Sequence, residues 1–184
     1  MGKRFDKKIG LYTVPSERTS IYIADLAEYN DGNLEGDWFE IDDSTTVEDV
    51  HAAIKEILER GVSDGSPHEE WAIHDYNNIP LDSEYPDIEL VLKVASLVRK
   101  HSYEEVAAFL KHFDETQIDD FERRAMGIYS SEEEYLDEVN DFSSIPEKFL
   151  TYLDYKKMFR DYELSGEIIR EDVFGGDFIL FYNH

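Results

Sequence analysis

The chain predicts an α+β fold built as three modest units, and three patterns carry that expectation. β-branched and aromatic runs bounded by turn residues lie towards both ends, apolar periodicity of helical type dominates the middle, and carboxylates are threaded through all of these segments instead of gathering in a tail. A basic extension over 1–19 is expected to precede a sheet-plus-helix unit at 20–84, a helical unit at 85–122 and a sheet-plus-helices unit at 123–184.

Residues 1–18 carry Lys3, Arg4, Lys7 and Lys8 with weak periodicity and read as a loosely held extension. Ser20 to Leu26 is a β-branched and aromatic run, and a turn at Asn30-Asp31-Gly32-Asn33 leads towards a second strand at Asp37-Trp38-Phe39-Glu40-Ile41. Thr45 and Glu48 have the spacing of a capping box. Val47, Val50, Ile54, Ile57 and Leu58 follow at helical spacing until Gly61, and Trp71 to Tyr76 predicts a third strand.

Pro86 opens a helix that is apolar nearly all round, with no carboxylate between Glu89 and Glu104, so burial is expected. Ser102 with Glu105 caps the next helix, which carries Val106, Phe109, Leu110 and Phe113 and ends near Asp114. Further on, Arg124 to Tyr129 reads as a short strand, Ser131 with Glu134 caps a helix, Pro146 suits the first turn of another, and Asp154 to Leu164 is helical up to Gly166. Glu167 to Arg170 and Asp177 to Tyr182 then form a hairpin across Gly175-Gly176.

The 184 residues hold a net charge of −25, yet 41% are hydrophobic and 14% aromatic, enough for ordinary cores. Three windows contain acids and no Lys or Arg. The first holds Asp25, Glu28, Asp31, Glu35, Asp37, Glu40, Asp42, Asp43, Glu48 and Asp49; the second holds Asp114, Glu115, Asp119, Asp120 and Glu122; the third holds Glu132, Glu133, Glu134, Asp137, Glu138, Asp141 and Glu147. Apart from Glu122 and Glu147, these are the carboxylates expected to face a partner. Duplex DNA carries one charge per ~1.7 Å of axis, so a net charge of this size matches roughly 40 Å of duplex. Such a surface repels nucleic acid and attracts proteins with basic clefts, foremost those that bind DNA. Charge alone is equally compatible with a surface built for solubility.

No cysteine is present, which excludes disulfides, thiolate metal sites and Cys nucleophiles. No apolar run approaches the ~18 residues of a spanning helix, and the expected location is the cytoplasm. Asp31 to Asp37 with Asp42 imitates a calcium loop, but strands are expected on both sides of it and its twelfth position is Asp, so a polar hairpin loop is the better reading. His101 and His112 fall on separate helices, and His68-Glu69-Glu70 lacks the second His of a metalloprotease helix. With no nucleophile elbow, phosphate-binding glycine loop or dinucleotide fingerprint, an enzyme is disfavoured and no cofactor is expected.

Certain blocks are more specific: Ile21-Tyr22-Ile23-Ala24-Asp25-Leu26-Ala27-Glu28-Tyr29-Asn30-Asp31-Gly32, Leu34-Glu35-Gly36-Asp37-Trp38, Glu69-Glu70-Trp71-Ala72-Ile73-His74-Asp75-Tyr76, and near the end Ile145-Pro146, Tyr152-Leu153-Asp154-Tyr155 and Arg160 to Gly166. In order and spacing they resemble the ArdA antirestriction proteins, acidic DNA mimics carried by conjugative elements. The resemblance implies an elongated, curved protein of three small units that forms a homodimer through its C-terminal unit. It also implies a partner, the type I restriction–modification enzyme in its methyltransferase core and endonuclease forms, whose DNA-binding groove the protein would occupy. Ser131 to Val139 stands where that family has its antirestriction motif. Residues 1–18 precede the family's usual start, and 85–140 is similar mainly in pattern and charge. A different class of reading is an acidic immunity or antitoxin-like protein with one basic partner, and a third is a metal-dependent enzyme using the Asp31 loop.

Overall fold

The computed structural model describes residues 18–30, 32, 35–61 and 68–184, together with the backbone of 4–5 and 12–13. The fold is α+β, and its contacts separate two compact units, one within 14–107 and one within 108–184. Two-residue strands β1 (Arg4–Phe5) and β2 (Tyr12–Thr13) pair antiparallel and belong with the second unit.

The first unit is a three-stranded antiparallel sheet with helices. β3 (Thr19–Asp25) lies between β4 (Gly36–Ile41) and β5 (Trp71–Asn77). As the central strand it is hydrogen-bonded on both sides, and every residue in it except Tyr22 is buried. A five-residue helix, α1 (Leu26–Asn30), follows β3 directly, taking in the expected last strand residue Leu26, the unassigned 27–29 and the first turn residue Asn30; Asp31 and Asn33 of that turn lie outside the described residues. Gly36 has a packing reason: a Cβ there would stand 2.5 Å from the Ile23 carbonyl oxygen, so strand pairing leaves no room for a side chain.

α2 (Val47–Gly61) packs on β3 and β4, and α3 (Ile88–Lys100) packs on α2. The expected apolar positions do converge, with Val50, Ile54 and Ile57 of α2 and Val91, Val94 and Val98 of α3 all buried. The capping box of α2 sits one residue later than its sequence expectation. The Asp49 N–H donates to Thr46 Oγ1 at 3.2 Å and the Thr46 N–H donates to Asp49 at 2.9 Å. Thr45 instead serves the preceding turn, its hydroxyl accepting the Asp42 N–H at 2.9 Å. α4 (Tyr103–His112) starts at Ser102 as expected, where the hydroxyl accepts the Glu105 N–H at 3.1 Å. The boundary between the units falls inside α4, after Ala107.

The second unit surrounds β8 (Phe178–Tyr182), the central strand between β6 (Ala125–Tyr129) and β7 (Ile168–Asp172). Four successive β8 residues, Phe178 to Phe181, are buried, because helices and turns cover both faces. One face belongs to Phe178 and Leu180, which pack with Met126, Tyr129, Tyr135, Leu136, Phe159 and Ile168. Towards the other, Phe181 meets Phe109 and Phe113 at ring distances of 5.7 and 5.9 Å. Phe109 also meets Phe121 of the short helix α5 (Phe121–Arg124) at 5.2 Å.

A 3-10 helix over Glu115–Asp120 precedes α5 and has no counterpart in the sequence expectation. Its signal is the spacing Asp114 to Gln117, a capping box in which both reciprocal bonds form. α6 (Glu132–Val139), α7 (Glu147–Leu150) and α8 (Tyr155–Ser165) complete the unit. Ser131 caps α6 by accepting the Glu134 N–H, and α8 stops at Gly166, whose φ of 73° is the left-handed conformation expected of a terminating glycine. The β7–β8 hairpin turns at Gly175 and Gly176, both with positive φ.

Two substitutions test this packing. Gly36→Ala is expected to destabilise the first unit by about 1–3 kcal/mol, as overpacking does. Leu136→Ala, which empties a fully buried position, is expected to cost about 2–5 kcal/mol. Urea denaturation followed by circular dichroism reads both; a wild-type midpoint for either variant contradicts the packing described.

Candidate interaction surface

The described carboxylates singled out in the sequence fall into four physical situations. Some pair with arginine. Arg60 donates to Asp37 and Arg18 to Glu40, each at 2.6 Å, and Arg99 donates to Asp43 at 2.8 Å. Arg99 also donates to Thr19 Oγ1 and the Ile41 carbonyl oxygen, so the last turn of α3 is clamped to the β3–β4 edge. In the second unit Asp120 lies 2.9 Å from Arg123, and Arg170 contacts Glu132 at 3.1 Å and Asp172 at 2.7 Å. The hydrogen bond and charge of Arg123 hold the Asp120 carboxyl below its usual range. Exposed pairs of this kind contribute at most about 1 kcal/mol each, but they do cancel charge locally.

A second group is held by neutral donors. The Asp42 carboxylate accepts the Ser44 hydroxyl at 2.7 Å and the Ser44 N–H at 2.8 Å, and Asp49 accepts the Thr46 hydroxyl at 2.7 Å. Asp114 accepts the Thr116 hydroxyl and N–H at 2.7 and 2.9 Å, and Asp141 accepts the Ser143 N–H at 2.9 Å. In all four the bonds from Ser or Thr hold the carboxyl below its ordinary range, and all four residues are exposed. The charge is fixed in position without a countercharge being introduced.

The remaining acids are spread over the same surfaces. Glu48 is exposed in the first turn of α2, where the helix dipole favours an anion, and Glu28 and Glu35 are half-buried beside α1 and β4. Glu115 and Asp119 are exposed on the 3-10 helix, and Glu133, Asp137 and Glu138 are exposed on α6. Glu134 folds back to accept the Ser130 N–H at 2.8 Å. Asp31 lies outside the described residues.

Asp25 is a correction. Its side chain is fully buried, so it cannot present a charge to a partner. One oxygen accepts the Ala27 and Glu28 N–H groups at 2.9 and 3.4 Å, and the other meets His68 Nδ1 at 2.5 Å. The carboxylate thereby starts α1 and ties it to the segment entering β5, where the Leu26 N–H also donates to the Glu70 carbonyl oxygen at 3.1 Å. Residues 43 positions apart make this pair, and nothing in the local pattern of Asp25 or His68 announces it.

Among the described residues, no cluster of three or more His, Asp or Glu could hold a metal ion, and no helix is long and apolar enough to cross a membrane. Asp31 and Asn33, which the calcium-loop reading requires, lie outside the described residues, while Asp37 and Asp42 are engaged by Arg60 and Ser44.

Two small α+β units with many exposed carboxylates give this chain a strongly acidic surface. The model of one family, described as antirestriction protein (ArdA), matches residues 21–173, and the chain belongs to that family. Membership implies antirestriction, an action against restriction enzymes. A search of curated proteins finds no match.

Asp25→Ala is expected to cost about 3–5 kcal/mol by stripping a buried group of its partner, measurable by urea denaturation. The neutral-donor bonds carry a pH signature. Because the bonds from Thr46 hold the Asp49 carboxyl below the ordinary carboxylate range, they stabilise the fold above about pH 4 and are lost as pH falls through the lower folded-state value. Thr46→Ala should therefore lower the melting temperature at neutral pH, by an amount that shrinks as pH falls below the ordinary Asp value of about 3.9. A difference independent of pH contradicts the assignment.

Proposed function

We propose that this protein acts as a stoichiometric DNA mimic in the cytoplasm, occupying the DNA-binding groove of type I restriction–modification enzymes and blocking restriction without making or breaking any bond. The observation that carries this reading is the set of exposed carboxylates held in position by uncharged Ser, Thr and backbone donors in both units, Asp42, Asp49, Asp114 and Asp141. A phosphate in a duplex is likewise a fixed, ionised, solvent-facing anion, and a basic groove recognises it chiefly by charge and position. Glu48, Glu133, Asp137 and Glu138 add to the same exposed set, whereas Asp37, Glu40, Asp43, Asp120 and Glu132 meet a partner only if its cations compete with their own arginines.

The proposed assembly is a homodimer through the C-terminal unit. Phe149, Tyr152, Leu164 and Phe174 are large apolar or aromatic side chains exposed there, the kind of surface that association covers. Light scattering at micromolar concentration is expected to give twice the chain mass, and Phe149→Ala with Tyr152→Ala to give the monomer. A wild-type monomer refutes this part of the proposal.

The direct test mixes the purified protein with a type I methyltransferase and a fluorescent duplex carrying its recognition site. Displacement of the duplex at near-stoichiometric protein is expected, and it should weaken as salt rises. Single changes among Asp42, Glu48 and Asp49 to the amide should each alter displacement by less than about threefold, while the triple change weakens it stepwise, as expected of distributed screened charges. Undisturbed DNA binding, or one carboxylate whose loss abolishes the effect, overturns the proposal.

A further inference from the structure

The first unit contains a cleft of about 510 Å³ lined by both aromatic rings and carboxylates. Tyr29 of α1, His74 of β5 and Tyr85 of the loop after β5 supply rings, Glu70 and Glu84 supply carboxylates, and Leu26 supplies apolar surface. No Lys or Arg is among the described residues that line it. The Tyr29 and His74 rings meet edge to face at 4.7 Å, while Tyr29 and Tyr85 remain 49% and 64% exposed.

The parts are held from behind. The Asp25 carboxylate starts the helix that carries Tyr29 and grips His68, two residues before Glu70, and the Leu26 N–H donates to the Glu70 carbonyl oxygen. On the opposite wall the Ile73 N–H donates to the Glu84 carbonyl oxygen at 2.9 Å, the Tyr76 hydroxyl donates to the Ser83 carbonyl oxygen at 2.6 Å, and the Tyr85 N–H donates to Ser83 Oγ at 3.3 Å. Rings and carboxylates are therefore mounted on backbone that is fixed to the sheet.

Ring faces and carboxylates around one hollow are complementary to a cation. A guanidinium suits it better than an ammonium: it is planar, stacks on tyrosine, is weakly hydrated and bonds a carboxylate through two N–H groups at once. We infer that the cleft between α1 and the β5 loop seats one arginine side chain of the protein partner, with Tyr29 and Tyr85 against the guanidinium and Glu70 and Glu84 accepting its N–H groups. The arginine as partner residue rests on the DNA-mimic reading, since a basic groove is where such a side chain would be offered. The site also gives that reading something that charge alone lacks, a point of fixed register.

The test has two arms. In the first, amide chemical shifts of the intact protein are followed as Nα-acetyl-arginine amide is added, with the lysine derivative and uncharged Nα-acetyl-citrulline amide as comparisons. Saturable shifts confined to the neighbourhood of Tyr29, Glu70, His74 and Tyr85 are expected for the arginine derivative, weaker binding for lysine and none for citrulline. Both tyrosines are exposed, so Tyr29→Ala with Tyr85→Ala should leave the remaining spectrum unchanged and weaken binding by roughly two- to fivefold per ring. Equal response to both cations, shifts scattered over the acidic surface, or undiminished binding by the double variant overturns the site. In the second arm the double variant displaces DNA from the type I methyltransferase less well than the parent; equal displacement overturns the partner's arginine as occupant. A parent protein that saturates with the arginine derivative but displaces no DNA upholds the cleft and sinks the DNA-mimic reading instead.

Discussion

Self-repulsion is the constraint under which this structure is built. A net charge of −25 on 184 residues opposes compaction everywhere, and the fold meets it with dense aromatic and aliphatic cores in two units. In the second unit the opposition is met around one strand. Phe178 to Phe181 are buried in succession, and Phe109, Phe113 and Phe121 on one side with Tyr135 and Phe159 on the other leave that strand no polar face. Burial on this scale lets the surface stay charged.

The acids are not equivalent, and their differences follow from what each one touches. Arginine neutralises Asp37, Glu40 and Asp43, which lowers the local field and fixes elements to one another, most clearly where Arg99 joins α3 to β3 and β4. Ser and Thr hold Asp42, Asp49, Asp114 and Asp141 by bonds that order the carboxylate and preserve its charge. Asp25 does neither, because it has been taken inside as an anchor for α1. On the DNA-mimic reading proposed above, imitation of a polyanion draws on the second kind, and the first and third kinds maintain the scaffold that presents it.

The arginine cleft and the DNA-mimic reading meet at Asp25. Its buried carboxylate starts the helix that carries Tyr29 and, through His68, holds the chain entering β5, so a charge withdrawn from the surface shapes a surface site with both rings and carboxylates. Long-range electrostatics would bring a basic partner to the protein, while a shaped cleft could fix which residue arrives where.

The sequence by itself determined the α+β class, the family, the strands of both three-stranded sheets, the helices α2, α3, α4, α6, α7 and α8, and the caps at Ser102, Ser131 and Gly166, because periodicity, capping chemistry and glycine conformation act over a few residues. It also placed the carboxylates along the chain. Tertiary structure alone decided which of them carry charge to the surface: Arg60 reaches Asp37 across 23 positions, Arg99 reaches Asp43 across 56, and His68 reaches Asp25 across 43. The one-residue shift of the α2 cap and the unexpected helix α1 between β3 and the turn that follows it have a related cause. Asp42 competes for Thr45, and the Asp25 carboxylate offers its oxygen to the Ala27 and Glu28 amides. Burial and ion pairing depend on what the fold brings close in space, and local spacing does not contain that information.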